Sequence, residues 1–421
     1  IQSLVEDTRR AVNESLIYRM KISIHNEGER ICNVVTTQVK KKRLRIGETL
    51  SRLMTRPLTG VPIMLVILYL VFYKFVGVFG AGTIVDFIEG KLFGEYINPY
   101  LTEGVKALTG SEVIRQLFIG EYGLITLGFT YAIAIILPVV GIFFFAFSII
   151  EDSGYLPRLS LLIDRVFKKI GLSGRAVIPM VLGLGCDTMA TITTRTQETK
   201  RERVIATLLL ALAIPCSAQL GVIFALLAPF PKALLIWTVV IIANFLLVGF
   251  LASRIMPGQK PTFFMELPPL RIPKAGNVMA KTYTRVIWYL KEVFPLFIIA
   301  SVAIWLMQVS GVFPYILKGL EPLVNAIGLP DNTSDVFLFG FFRRDYGAAG
   351  LYDMKEMLSA GQLTIAAVVL TLFVPCIAHL MVMFKERGSG TATVIFLFVL
   401  ALAFFMGWLL NVVFNTFNIM M

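Results

Sequence analysis

The chain has 421 residues, of which 57% are hydrophobic and only 16% are charged. A soluble domain carries about 25% charged residues, so this composition excludes an ordinary soluble protein. The net charge of +12 could suggest nucleic acid, but the basic residues cluster beside apolar stretches, as they do in membrane proteins. We therefore predict a multi-pass protein of the cell (inner or plasma) membrane, with the lipid bilayer as its partner and no nucleic acid.

The N-terminal part of the chain predicts its orientation. Residues 1–57 are polar and look helical, and they end in a basic cluster at 40–45. This cluster precedes the first apolar stretch and therefore places the N-terminus in the cytoplasm. We interpret 1–57 as a cytoplasmic helical linker. The following segment, 58–121, is predicted to hold the first span and an acidic loop outside the cell.

Further stretches are free of charged residues and long enough to cross a bilayer, since a span needs about 20 apolar residues. They lie at 122–150, 204–231, 233–253, 293–317, 363–384 and 388–421. We predict an all-α polytopic membrane protein with about seven full spans. The apolar piece at 176–186 is too short to cross, which indicates a re-entrant or broken helix.

Two parts of the chain resemble each other in sequence. Pro215 and Cys216 recur as Pro375 and Cys376 within similar runs, and upstream matches keep the same order. We predict two gate repeats, with these boundaries: repeat 1 with its following span at 122–253, a cytoplasmic basic linker at 254–285, repeat 2 at 286–384, and a C-terminal span at 385–421. The predicted topology gives the repeats opposite orientations. Inverted repeats with broken helices are typical of transporters.

The two prolines predict broken helices inside the membrane. Because proline has no N–H, Pro215 leaves the carbonyl of Ala211 without its helical partner, and Pro375 does the same to Thr371. A free carbonyl in hydrocarbon is costly unless protein, water or an ion satisfies it. These breaks are therefore candidate positions on a transport path.

Sulfur lies beside both breaks, at Cys216 and Cys376, and Ser217 follows the first. Thiolate and carbonyl oxygen together suit a borderline transition metal. The alternative is a simple kink with a buried, inert cysteine. The recurrence of the pair in both repeats favours the metal path.

Gly183 and Gly185 lead into a second group of candidate ligands, Cys186, Asp187 and Met189. Glycine allows an unwound backbone and close approach, so we predict a helix break here. The three side chains offer sulfur and oxygen ligands within one turn. The glycines could equally form a packing contact between helices.

Several ionisable residues are further candidates. Glu151 and Asp152 follow an uncharged stretch and are either a cation attractor at the cytoplasmic mouth or acids in water at the end of a span. His379 replaces Gln219 in the second repeat and either ligates metal, carries protons or packs as a neutral side chain. Asp164 is predicted to be an ordinary surface acid.

A charged group in the second repeat occupies the place of Cys186 and Asp187. It comprises Arg343, Arg344 and Asp345. An ionisable cluster inside a membrane is by default a functional hypothesis, although the arginines could equally be a structural brace for carboxylates.

The sequence contains neither the G-x-x-x-x-G-K-[ST] motif of nucleotide sites nor the H-E-x-x-H motif of metalloproteases. We therefore predict no nucleotide site, no catalytic residues and no enzyme activity in this chain.

Several motifs together resemble a known family. Glu-Asp-Ser-Gly-Tyr-Leu-Pro-Arg at 151–158, Gly-Leu-Gly-Cys-Asp at 183–187, Ile-Pro-Cys-Ser-Ala at 214–218 and Gly-Phe-Phe-Arg-Arg-Asp-Tyr-Gly at 340–347 closely resemble the membrane region of ferrous iron transport protein B. The resemblance implies Fe(II) uptake through two gates related to those of nucleoside transporters. It also implies that Cys186, Cys216 and Cys376 handle the iron.

The same resemblance implies partners. Family members usually begin with a cytosolic GTPase domain and a helical domain, so 1–57 resembles the tail of that helical region. A GTPase domain or subunit is therefore an expected partner, along with a small cytosolic accessory protein of the same transport system. The oligomeric state is left open, with a homo-oligomer as one alternative. The chain departs from the family at Asp187 and Met189, where the motif usually reads Gly-Cys-Asn-x-Pro.

Two other functions remain open at this point. One is a proton-coupled transporter of nucleosides or another small organic solute on the same gate architecture. The other is a membrane scaffold or receptor for a partner GTPase that transports nothing.

Overall fold

The fold is helical in the part of the chain that the structure describes, as the sequence predicts. The computed structural model describes residues 16–35, 42–85, 87–108, 112–119, 124, 129–130, 133–134, 137–258, 267–342, 344–373 and 375–417. These residues form helices and short connections, and none of the described residues lies in a β-strand. The predicted all-α fold is confirmed.

The described N-terminal part consists of short helices before the repeats. Its α-helices are α1 (Leu16–Val35), α2 (Lys42–Thr55), α3 (Pro57–Leu68), α4 (Asn98–Leu108) and α5 (Glu112–Ile119). Two wider helical segments with π-type turns, Tyr69–Ile84 and Phe87–Ile97, lie between α3 and α4. The acidic segment that we predicted as a loop is therefore largely helical where it is described.

Two series of seven helices follow in the same order. The first series is α6 (Leu137–Asp152), α7 (Tyr155–Lys169), α8 (Val177–Gly183), α9 (Asp187–Thr193), α10 (Lys200–Ala213), α11 (Ser217–Leu227) and α12 (Pro231–Ile255). The second series is α13 (Ala275–Val309), α14 (Val312–Ala326), α15 (Thr333–Phe342), α16 (Arg344–Asp353), α17 (Ala360–Leu372), α18 (Ile377–Arg387) and α19 (Ser389–Phe417). Each helix of the first series has a counterpart in the second.

Glycines mark the same turns in both series. Gly154 and Gly311 have φ values of 79° and 70° and cap the beginnings of α7 and α14. Gly171 and Gly328, with φ values of 78° and 80°, follow the ends of the same helices. Positive φ is readily available only to glycine, so these positions fix both turns around each amphipathic helix.

The helices that lead to the two prolines begin with the same capping device. The Thr199 hydroxyl accepts a hydrogen bond from the Glu202 N–H, and the Glu202 carboxylate accepts one from the Thr199 N–H, at 3.1 and 3.2 Å. Ser359 and Gln362 form the equivalent box before α17. This S/T-x-x-E/Q pattern satisfies N–H groups that the first helical turn leaves unpaired.

Small residues allow the last helix of each series to approach its own repeat closely. Gly249 on α12 packs against Ile170 and Leu209, while Gly407 on α19 packs against Ile327 and Val369. A Cβ at Gly249 would lie only 2.8 Å from the Cβ of Ile170. Close contact here holds the connection after α7 against α12 and the connection after α14 against α19.

The described residues include four helical stretches long and apolar enough to cross a membrane. They are Pro57–Val76, Pro231–Ile255, Ala360–Arg387 and Ser389–Phe417, and a fifth exists if Val140–Asp152 and Tyr155–Lys169, bent by 83°, count as one. This count applies to the described residues alone, so the number of about seven full spans stays a prediction. The apolar stretch at 204–231 is divided between α10 and α11, and the one at 293–317 between α13 and α14, so helix ends interrupt both stretches.

The basic linker predicted at 254–285 is partly helical, because α13 begins at Ala275 and includes its last basic residues. One smaller prediction about the repeats is wrong. Asp164 is a buried residue rather than a surface acid, since it accepts hydrogen bonds from the Gly174 N–H at 2.9 Å and from Lys168 at 2.7 Å. Its carboxylate fixes the turn that enters α8.

We predict that Gly249→Ala destabilises the fold, because the new Cβ would overlap Ile170. Overpacking of this kind costs about 1–3 kcal/mol. The melting temperature of the detergent-solubilised protein should therefore fall.

Gly221→Ala is the matched control, since a Cβ there meets no described atom within 4 Å. Alanine is favoured over glycine inside a helix by roughly 0.5–1 kcal/mol, so the control should melt at or above the wild-type temperature. Equal melting of both variants would contradict the packing role of Gly249.

Candidate functional site

Three cysteines precede helices that begin after a break. Cys186 is the N-cap of α9, Cys216 of α11 and Cys376 of α18, and each has extended or near-extended backbone geometry. The predicted interruptions at Pro215 and Pro375 are present, because helices end shortly before each proline and begin shortly after it. All three thiols are partly buried.

The two breaks of the first repeat touch each other. The N–H and hydroxyl of Ser217 lie 3.5 and 3.3 Å from the carbonyl oxygen of Gly185. This contact joins the start of α11 to the break between α8 and α9. Cys186 follows Gly185 and Cys216 precedes Ser217, so the two cysteines lie in the same region.

The two glycines of this break act by close packing. Neither Gly183 nor Gly185 has a positive φ. A Cβ at Gly185 would collide with the ring of Phe143, and one at Gly183 would lie 2.6 Å from Leu210 and 2.9 Å from Ile214. Both glycines therefore make close packing contacts, as the alternative interpretation holds. The helix is interrupted between Gly183, where α8 ends, and Asp187, where α9 begins.

Arg344 of the second repeat enters the proline break of the first. Its Nη2 donates to the carbonyl oxygen of Ala211 at 3.0 Å, and its Nη1 donates to that of Ile214 at 2.9 Å. Nη1 also donates to Oδ2 of Asp187 at 2.6 Å. The carbonyl that Pro215 deprives of its backbone donor is thus satisfied by a guanidinium.

Donors from the first repeat reach the proline break of the second in return. Gln219 Nε2 donates to the carbonyl oxygen of Leu370 at 3.0 Å, and Trp237 Nε1 donates to the Thr371 hydroxyl at 3.0 Å. Each repeat therefore supplies polar groups to the other repeat's break.

His379 crosses between the repeats as well. Its Nε2 lies 2.7 Å from the hydroxyl of Thr191 on α9, and the side chain is fully buried. His379 corresponds to Gln219 of the first repeat, so both residues at this repeat position bond across to the other half. Its Nδ1 has no hydrogen-bond partner among the residues that the structure describes.

The third cysteine belongs to the same neighbourhood. The Cys376 thiol is close enough to interact electrostatically with Cys186, Asp187 and Arg344, and the His379 N–H points to its sulfur. The sulfur of Cys186 receives the N–H groups at the start of α9 in the same way.

The candidate ligands of the site can be tested for a complete metal-binding group. In the described part of the chain, no three or more His, Cys, Asp and Glu side chains are placed to hold a metal ion together. Met189 lies in the hydrophobic core and is 5% exposed. The predicted ligands therefore gather in one region without forming a complete ligand set.

Glu151 and Asp152 are engaged elsewhere. Glu151 pairs with Arg285 at 2.6 Å and with Lys281 at 3.3 Å, and Asp152 also pairs with Lys281. The hydrogen bond from Lys281 to Asp152, together with Glu151, raises the pKa of Lys281. These acids tie α6 to α13, and their role as cation attractors stays a prediction. Arg343 and the side chain of Asp345 lie outside the described residues.

A second polar connection joins the repeats where α10 begins and α18 ends. Arg195 pairs with Glu386, and Arg387 donates to the hydroxyls of Thr194 and, at 2.9 Å, Thr207. The sequence singled out none of these contacts, although the closely spaced charges after the apolar stretch at 363–384 were a signal.

Comparison with known proteins agrees with this architecture. The Gate family, described as "Nucleoside recognition", matches residues 133–230 and again 290–390. The family "Ferrous iron transport protein B C terminus" matches 234–285, between the two gates. The chain belongs to the ferrous iron transport protein B family.

Individual relatives extend the match over most of the chain. The "Fe(2+) transporter FeoB" of Methanocaldococcus jannaschii is 27% identical over 94% of this chain and 63% of its own length. The protein of the same name from Staphylococcus aureus (strain COL) is 27% identical over 69% of this chain and 45% of its own length. This chain therefore spans about half to two thirds of these relatives. No solved structure matches it significantly.

We predict that Thr191→Val weakens the contact between the repeats, because the isosteric change leaves His379 Nε2 buried without its partner. Loss of one partner of a buried hydrogen bond costs about 1–3 kcal/mol. The melting temperature in detergent should fall accordingly.

Thr364→Val provides the comparison, since Thr364 is equally buried but its hydroxyl donates only to the Ala360 carbonyl within its own helix. If the two variants lose the same stability, the bond across the repeats contributes nothing of its own.

Proposed function

We propose that this chain forms the membrane pathway by which ferrous iron enters the cytoplasm. One observation carries the proposal: Cys186 and Cys376, at two helix breaks, lie near a buried ion pair that links the repeats, Arg344 with Asp187, and Ser217 ties the break at Cys216 to the same region. Fe(II) is proposed as the transported ion because the relatives carry the name "Fe(2+) transporter FeoB".

The chemistry of the breaks suits a borderline divalent cation. Cys216 and Cys376 offer sulfur next to carbonyl oxygens that the helix interruption leaves without a backbone N–H partner. The sulfur and oxygen atoms can replace part of the hydration shell of Fe(II). A bound divalent cation favours the thiolate form of a cysteine that coordinates it.

An incomplete ligand set is consistent with passage rather than storage. A conducted ion must bind well enough to enter and weakly enough to leave, which several partial sites in series achieve better than one closed site. Cys186, Cys216 and Cys376 would act in this way, with Asp187 and Ser217 nearby.

Movement of one repeat against the other is the proposed way of alternating access. The two series would run in opposite directions through the bilayer, with the N-terminus in the cytoplasm, as in other inverted-repeat transporters. The connection of Arg195 and Arg387 to the other repeat would then lie at the cytoplasmic end. A GTPase domain or subunit and a small accessory protein are the proposed partners, and one relative is named as a fusion of Fe(2+) transport protein A with FeoB.

A second candidate function rests on the description of the Gate family, "Nucleoside recognition". A proton-coupled carrier of nucleosides could use the same breaks to bind a polar organic solute. Calorimetry separates the two, because a nucleoside carrier should release or absorb heat with a nucleoside and none with Fe(II).

We predict that Cys216→Ser and Cys376→Ser each lower Fe(II) uptake by about tenfold or more, because serine replaces a soft sulfur ligand with a weakly acidic hydroxyl. Uptake would be measured anaerobically in proteoliposomes containing the chain with its GTPase domain or subunit.

Cys32→Ser is the matched control, since this exposed cysteine lies on α1, outside both repeats. It should leave uptake at the wild-type level. Full uptake in both gate variants would contradict the thiol pathway, and absence of uptake in the wild type with its partner would favour the scaffold alternative.

A further inference from the structure

Arg344 presents its positive charge to oxygens that would also accept a metal cation. One guanidinium contacts the Asp187 carboxylate and the carbonyls of Ala211 and Ile214, at 2.6, 3.0 and 2.9 Å. Arg344 and Asp187 are each only 4% exposed. Carboxylate and carbonyl oxygens are ordinary ligands of divalent cations in proteins.

The two carbonyls are available because of the helix break. Ala211 has lost its backbone donor to Pro215, and Ile214 lies in the interruption between α10 and α11. A carbonyl at this depth needs some positive partner, and either a guanidinium or a metal ion meets that need. Either the guanidinium or a metal ion can therefore satisfy these two carbonyl oxygens.

The pair retains unused polar atoms. Asp187 Oδ1 and Arg344 Nε are buried and have no hydrogen-bond partner among the described residues. A Cβ at Gly183 would lie 3.3 Å from Asp187 Oδ1, so the glycine leaves that oxygen unobstructed by a side chain. A buried carboxylate oxygen without a donor calls for an explanation, and a cation bound on this side supplies one.

Simultaneous occupation by both cations is unfavourable. A divalent ion bound to Asp187 would sit within a few ångströms of the guanidinium in a poorly screened interior, where like charges repel strongly. The ion can be accommodated when Arg344 withdraws from the carboxylate and the two carbonyls. Since Arg344 belongs to the second repeat, its withdrawal accompanies a change in how the repeats meet.

We propose that Arg344 is a tethered counter-cation, which occupies the oxygens of Asp187, Ala211 and Ile214 until a divalent cation displaces it. The inference rests on the proposed iron pathway and adds a specificity-determining residue to it. Arg344 keeps the pathway closed to ions that bind oxygen too weakly to compete, and it returns the site to its starting state after the ion has left.

The test compares Fe(II) affinity in the purified full chain, measured anaerobically by calorimetry. Arg344→Gln should bind Fe(II) more tightly than the wild type, because the competitor is gone. If Arg344 occupies the oxygens about 90% of the time, its removal lowers the dissociation constant about tenfold. Arg344→Lys keeps the charge and should remain nearer to the wild type.

Arg158→Gln is the matched control. Arg158 is also a buried arginine, 2% exposed, and it also donates to two carbonyl oxygens, those of Gly154 and Pro268. Its loss should leave the Fe(II) dissociation constant unchanged. A purely structural role for Arg344 predicts weaker binding in Arg344→Gln, which is the opposite direction.

In Arg344→Gln, the charged Asp187 would be buried without its cation, which disfavours folding. A second pair of variants therefore removes the charge of Asp187 as well. Asp187→Asn alone keeps the guanidinium on the carbonyls, whereas Asp187→Asn with Arg344→Gln exposes them. The double variant should bind Fe(II) more tightly than Asp187→Asn. This comparison decides the question if Arg344→Gln does not elute as a folded protein.

The outcomes separate this inference from the function on which it rests. If the wild type binds Fe(II), but a folded Arg344→Gln binds it no more tightly, the counter-cation role is overturned and the iron pathway stands. If no variant binds Fe(II), both are overturned. Tighter binding in Arg344→Gln and in the double variant supports the inference, whatever the uptake rates are.

Discussion

A proline inside an apolar helix leaves a carbonyl without its backbone donor, and hydrocarbon cannot supply another. This constraint organises the centre of the molecule. The donor for Ala211 comes from Arg344, and the donors near the other proline come from Gln219 and Trp237. Each repeat thus receives hydrogen bonds at its break from the other repeat, so these polar groups gain their partners only when the two halves are assembled.

The contacts between the halves are reciprocal. α9 packs on α18, and the corresponding helices α16 and α11 pack on each other in the same manner. α6 and α13, which lead the two repeats, contact each other directly. Such exchange of equivalent contacts is the pattern of a two-fold interface, here formed within one chain. It places the breaks of both repeats in a common region and gives their relative movement a natural axis.

Much of this could be read from the sequence because it follows local rules. The absence of an N–H at Pro215 predicts the unpaired carbonyl of Ala211, and the recurrence of Pro-Cys predicts a second break. The partner of that carbonyl could not be predicted, since Arg344 is 133 residues away in the chain. Periodicity carries no information about contacts of that kind.

The errors have physical causes too. Hydropathy counts apolar residues and does not register the turn at 214–216, so it alone reads 204–231 as one continuous stretch, although Pro215 indicates the break. Asp164 looked exposed because it lies on the polar side of an amphipathic helix, yet the Gly174 N–H requires an acceptor there. The ion pairs of Glu151 could not be predicted, because its basic partners on α13 lie in a segment that the sequence analysis treats as a separate linker.

The pairing of Asp187 with Arg344 has a consequence for the origin of the architecture. Both residues begin the equivalent helix of their repeat, so the position contacts itself across the axis. In a dimer of two identical subunits, the same residue would stand on both sides of this contact. Two aspartates or two arginines would then face each other, and their like charges would repel. Opposite charges at a self-contacting position require two halves that can mutate independently, which covalent fusion of the gates provides.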